Sequence, residues 1–190
     1  MSQLQLQLYV DTSSFIGLFD EKTKENLMRN LPEIKEGRIS LFISPYVIEE
    51  FFHTIFYKEE ETLFLQKLVG NPKSKIGEKV NYFFTHFKEK FPLYLNQFKM
   101  LEIKGEIPII FLDEEVMRNL TEKTRTYDLL HLFTSIISGL DGILTSDFPF
   151  FEWIKNNKET IMKYIQKTKS FFVFYFTKEK FESFEIKAFE

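Results

Sequence analysis

A chain of 190 residues has the length of one domain, and 44% hydrophobic with 28% charged residues excludes a disordered chain. The net charge of −3 excludes a uniformly basic coat that would bind any phosphate backbone. The absence of cysteine excludes a disulfide framework, a thiolate zinc site and a cysteine nucleophile.

No run approaches the roughly 18 apolar residues of a membrane span; the densest, Phe171 to Phe176 and Ile107 to Leu112, are strand-sized. The first eight residues lack the basic start and continuous apolar stretch of a signal peptide. A soluble cytoplasmic protein without membrane contact is expected, with most of its 24 phenylalanines filling a core.

Leu4, Leu6 and Leu8 alternate with Gln and run into Tyr9-Val10, a strand pattern. Asp11-Thr12-Ser13-Ser14 then offers N-cap residues before Phe15, Ile16 and Leu18, so a helix begins there. A second helix is expected over Lys22 to Ile34, stopping near Gly37, and a second strand over Arg38 to Ser44. Pro45 suits the first turn of a helix carrying Val47, Ile48, Phe51, Phe52, Ile55 and Phe56. Residues 58–105 read as helical, interrupted by Gly70-Asn71-Pro72 and by Pro92.

Ile107 to Leu112 is expected as the third strand, and Asp113 to Lys123 as a short helix. Thr126 opens a helix with Leu129, Leu130, Phe133, Ile136 and Ile137 at helical spacing, closed by Gly139. Gly142 to Thr145 reads as a buried strand, Phe150 to Lys167 as helical, and Phe171 to Phe176 as a fifth strand. In the extension 177–190, Phe184, Ile186 and Ala188 alternate, which fits an added edge strand or a loose tail. Strands alternating with helices imply an α/β fold around a mostly parallel sheet of about five strands, covered on both faces. One domain spanning 1–190, with a helical insertion over about 58–105, is the economical organisation.

In open α/β sheets ligands collect at the carboxyl ends of strands. Asp11 follows the first strand and Asp147 follows the fourth. Asp128 lies in the first turn of its helix, and Glu50 in the first turn or two of the helix after the second strand. Four carboxylates on one rim need a cation, and oxygen donors without cysteine suit Mg²⁺ or Mn²⁺. Each acid also has a structural use: Asp11 and Asp147 as helix caps, Asp128 at a helix dipole, Glu50 on a solvated face.

Tyr9-Val10-Asp11-Thr12-Ser13 and Ile43 to Phe51 resemble the first two motif blocks of the PIN-domain nucleases, which include toxin ribonucleases of toxin–antitoxin pairs. Tyr127 to Thr134 resembles the third block, and Gly139 to Asp147, with Thr145-Ser146-Asp147, resembles the fourth. Order and spacing carry the resemblance; the long gap between Glu50 and Asp128 accommodates the insertion.

The resemblance implies a three-layer PIN-like fold and metal-dependent phosphodiester hydrolysis, most often of RNA. Asp11, Glu50, Asp128 and Asp147 are then the catalytic and metal-binding residues, with Mg²⁺ or Mn²⁺ as cofactor. Ser13 and Thr145 would orient carboxylates or water; relatives often carry Asn where Ser13 stands. An inhibitory antitoxin is the protein partner it implies; a homodimer is left open by the sequence. The alternative is a catalytically silent PIN-like module binding RNA or a protein. An aspartyl-phosphate phosphotransferase using Asp11 as nucleophile ranks lower, because Ser13 occupies the position where many such enzymes carry a second acid.

His131 and His53 each stand one helical turn beyond a candidate ligand and can reach it indirectly, although packed histidines are the commoner case. Asp141 reads as a turn residue and Glu59-Glu60-Glu61 as a solvated run. Between Lys73 and Lys99 lysines interleave with aromatics, which fits either a grip on single-stranded RNA or a helix with one core face and one wet face. The lysines from Lys155 to Lys169 present the same two readings.

Overall fold

The computed structural model describes residues 5–102, 126–165 and 170–187. Two compact units divide the chain, Met1–Val47 with Lys99–Glu190, and Ile48–Phe98. Among the described residues the first unit contains a six-stranded sheet. Its strands are β1 (Leu6–Val10), β2 (Ile39–Ile43), β3 (Lys99–Met100), β4 (Gly142–Thr145), β5 (Ser170–Phe176) and β6 (Phe181–Lys187). The spatial order is β3-β2-β1-β4-β5-β6. All neighbours are parallel except β5 and β6.

Consecutive residues Leu8, Tyr9 and Val10, all four of β4, and Val173 to Phe176 are buried. Successive side chains of a strand point to opposite faces, so both faces of the sheet centre are covered, as in a three-layer α/β fold. The covering helices include α1 (Thr12–Gly17), α2 (Glu21–Asn30) and α7 (Thr126–Ile137), followed by α8 (Phe148–Asn156) and α9 (Lys158–Met162). Helix α3 (Pro45–Tyr57) leaves the first unit after Val47, and the second unit adds α4 (Leu63–Val69), α5 (Ile76–Phe87) and α6 (Lys90–Leu95).

Several expectations require correction. The helix expected over Lys22 to Ile34 ends at Asn30, and a 3₁₀ turn follows over Pro32–Ile34. Pro32 has no N–H to continue the ladder, and its ring crowds the preceding turn. The stretch 58–105 is not helical throughout. Residues 58–62 are non-helical, Thr62 caps α4 through Leu65 N at 3.2 Å, and Lys99–Met100 pairs with β2. Pro92, expected as a break, sits in the first turn of α6, where no helical N–H is required. The helical stretch over Phe150 to Lys167 is two short helices, because Asn157 interrupts it. Of the two possibilities for the tail, the edge strand is the one formed: it is β6, which brings the sheet to six strands among the described residues. The strand expected at Ile107 to Leu112 and the helix at Asp113 to Lys123 lie outside the described residues, as does the end of the stretch expected to reach Lys167.

Gly142 shows how tightly the central strands are set. It pairs with Leu8 on one side and Phe172 on the other, and a Cβ there would fall 2.2 Å from the Phe172 carbonyl oxygen. Backbone cannot yield as a flexible side chain can, so Gly142→Ala is expected to cost roughly 1–3 kcal/mol or more, read as a lower urea midpoint at unchanged slope. Gly139→Ala, at a helix end with φ +69 and open space around it, should cost only about 1 kcal/mol.

Candidate metal centre

From β1 the chain builds outward to β2 and β3; from β4 it builds the other way, to β5. The crevice where the order reverses, outside the carboxyl ends of β1 and β4, is the usual ligand position in such sheets. Val10 pairs with Leu144, and Asp11 N donates to Leu144 O at 3.1 Å. Asp11 and Asp147 therefore leave two adjacent strands at the same end.

Each of the two also caps the helix that follows. Asp11 Oδ1 accepts from Ser14 N at 2.7 Å, and Asp147 Oδ1 accepts from Phe150 N at 3.0 Å. The capping role and the candidate metal role coexist, since a carboxylate has lone pairs to spare after one such bond. Ser13 and Thr145 connect the two acids. Ser13 Oγ lies 2.9 and 3.0 Å from the two Asp11 oxygens, and 3.3 Å from Thr145 Oγ1. Ser146 N donates to Ser13 Oγ at 2.8 Å, and Asp147 N donates to Thr145 Oγ1 at 3.0 Å.

Asp11 is only 3% exposed. Burial pushes its pKa above the usual carboxylate value. Coulombic attraction to His131 is the largest opposing influence, followed by hydrogen bonds from Thr145, Ser14 and Ser13. A carboxylate held against its own ionisation gains from a nearby cation.

Asp128 is half-buried in the first turn of α7. Glu50 is half-buried in the second turn of α3 and belongs to the second unit. Among the described residues no three His, Asp or Glu side chains gather into a group that could hold a metal, so Asp128 does not complete a three-carboxylate cluster with Asp11 and Asp147. The donor set is nonetheless the right kind for Mg²⁺ or Mn²⁺. These ions commonly take one or two carboxylates and fill the remaining positions with water and substrate phosphate. Asp11 and Asp147 would hold such an ion most directly.

His131, a marginal candidate by sequence, is 2% exposed and bonded on both ring nitrogens: to Tyr9 Oη at 2.9 Å and Thr12 Oγ1 at 3.1 Å. Tyr9 and Thr12 read in the sequence only as a strand residue and a cap within the first motif block, with no tie to His131. Asp141, read as a turn residue, accepts Gln7 N at 2.7 Å and so pins β1 to the start of β4.

No protein-family model matches the sequence, and no curated protein matches it. Among solved structures, a chain of VapBC2 from Rickettsia felis, crystallised bound to a DNA fragment from its promoter, superposes with a TM-score of 0.50 at 14% identity, covering 80% of this chain and 95% of that one. PAE2754 from Pyrobaculum aerophilum superposes with a TM-score of 0.42 at 16% identity, over 86% of this chain and 98% of that one. The chain has the α/β fold of the PIN domains.

The metal-free protein should report the cost of burying Asp11. Asp11→Asn keeps an oxygen for the Ser14 cap and removes the charge, so its melting temperature at neutral pH is expected to equal or exceed the wild type's. Asp11→Ala also loses the cap and should fall about 1 kcal/mol below Asp11→Asn.

Proposed function

We propose that the protein is a Mg²⁺- or Mn²⁺-dependent PIN-type endoribonuclease, the toxin of a toxin–antitoxin pair, acting in the cytoplasm. The observation that carries this reading is the pairing of Asp11 with Asp147 through Ser13 and Thr145 at the strand switch point. The PIN fold is consistent with it, and the resemblance in sequence supplies Asp128 and Glu50 as further acidic residues of the same site. Among the described residues no helix is long and apolar enough to cross a membrane.

A bound divalent ion would lower the pKa of water and offset charge on the scissile phosphate. Asp11 and Asp147 would supply its anionic ligands. Ser13 holds the Asp11 carboxylate in one orientation, so the ligand does not have to be ordered when the ion arrives. Thr145 does the corresponding work for the backbone leading into Asp147. Asp128 and Glu50 would accept hydrogen bonds from water at the site.

The exposed aromatics of the first unit favour nucleic acid as substrate. Among its described residues the large apolar side chains left exposed are Met100, Tyr127 and Phe148. Tyr127 directly precedes Asp128, and Phe148 directly follows Asp147. Phe148 is held edge-on against Tyr175, with ring centroids 5.3 Å apart, and Lys180 Nζ lies 5.9 Å from its ring. An aromatic face with a cation beside it suits an unstacked base and its phosphate.

The absence of a three-donor cluster among the described residues favours a second reading, a silent PIN-like module binding RNA or an antitoxin-like protein. Ribonuclease activity with Mn²⁺ separates the two. Asp11→Asn and Asp128→Asn are each expected to reduce cleavage of single-stranded RNA to background; activity equal to wild type in both would show a contaminant and sink the assignment. Phe148→Ala should weaken RNA binding by about 1–3 kcal/mol in a gel-shift assay on the Asp11→Asn background, with Mn²⁺ affinity unchanged.

A further inference from the structure

A second hydrogen-bonded chain lies on the buried side of Asp11. Ser44 Oγ and Tyr9 Oη are 2.7 Å apart, Tyr9 Oη and His131 Nδ1 2.9 Å, and His131 Nε2 and Thr12 Oγ1 3.1 Å. All four side chains belong to buried residues. Burying four polar groups adds little net stability, because each bond formed replaces bonds to water. A satisfied buried network instead fixes one geometry.

The segments it joins carry three of the four candidate carboxylates, Asp11, Asp128 and Glu50; that of Asp147 stands outside it. Tyr9 and Thr12 bracket Asp11 in sequence. His131 stands three residues after Asp128 on α7, about 4.5 Å further along the helix axis and on the same face. Ser44 immediately precedes α3, the helix of Glu50, and its carbonyl accepts Val47 N at 3.1 Å in the first turn. Of the four, Tyr9 and Thr12 flank Asp11 and Ser44 follows β2, whereas His131 comes from α7. It is the one link between α7 and the Asp11 turn in this chain of bonds.

We propose that His131 is a positioning residue that ties α7 to the β1–α1 turn and thereby sets where Asp128 stands relative to Asp11, which with Asp147 would hold a divalent ion. This inference rests on the metal-dependent reading above. The chemistry of the ring accounts for the residue type. Imidazole presents two hydrogen-bonding nitrogens on opposite sides of one rigid plane, so a single side chain engages Tyr9 and Thr12 at once. Asparagine can reproduce the Nδ1 side alone, and glutamine the Nε2 side alone.

The test is Mn²⁺ affinity by isothermal titration calorimetry on the full chain, with metal-free melting temperature recorded separately. His131→Asn is expected to weaken Mn²⁺ binding about 10–100-fold. Thr12→Val, which keeps the side-chain volume and removes only the hydroxyl, should weaken it similarly. His131→Gln, which retains the Thr12 contact, should recover most of the affinity. A wild type that binds no Mn²⁺ removes the metal reading itself. A wild type that binds, together with a folded Thr12→Val variant binding equally well, overturns the positioning role even if His131→Asn does not fold.

Discussion

The first unit is organised around the burial of one carboxylate. Asp11 emerges from the middle of a parallel sheet with 3% of its surface exposed, a position where ionisation costs solvation that the protein must replace. Ser13, Ser14, Thr145 and His131 all act to retain the charge, yet burial outweighs them and the pKa stays raised. Such an arrangement is poor for stability and good for holding a cation, because any ion that binds only the folded state adds its binding free energy to folding.

The sheet order then determines which groups can share that cost. Strands β1 and β4 lie side by side at the point where the strand order reverses, which is where such sheets open a crevice at their carboxyl ends. The loops leaving both strands turn into helices there, and both use Asp as the first capping residue. Close strand contact at Gly142 keeps β4 in register with β1 and β5. Thr145 consequently arrives beside Ser13, although the two are 132 residues apart. The link from the Asp11 carboxylate through Ser13 and Thr145 to the Asp147 backbone follows from strand register rather than from any local preference.

What was legible in the sequence was whatever has a local cause. Strand β4 coincides with the expected Gly142 to Thr145, and α7 opens at Thr126 as its apolar spacing requires. Asp11 and Asp147 were readable as strand-end acids because capping and strand termination are both short-range signals. The two-residue β3 has no period to detect, and its partner lies 57 residues earlier in the chain. Pro32 carried a signal that the apolar spacing around it obscured. By local pattern Tyr9 reads as an apolar strand residue and Thr12 as a cap. Their roles depend on His131, 119 to 122 residues away, and no composition or spacing rule reports a bond of that range.

The second unit answers the ambiguity left by its interleaved lysines and aromatics. On α5, Lys79 and Phe83 are both buried, four residues apart and on one face. Phe83 lies within 5.4–6.1 Å, centroid to centroid, of Phe51, Phe52, Phe56 and Phe91. Lys79 Nζ donates to the carbonyls of Phe56 at 3.0 Å and Lys58 at 2.9 Å, placing its charge at the carboxyl end of α3, where the helix dipole favours a cation. This part of the pattern is a core face, and its lysine is committed to closing a helix. Stacking on RNA along α5 would therefore fall to exposed rings such as Phe84. The sequence count of basic residues therefore overstates the charge this helix offers to phosphate.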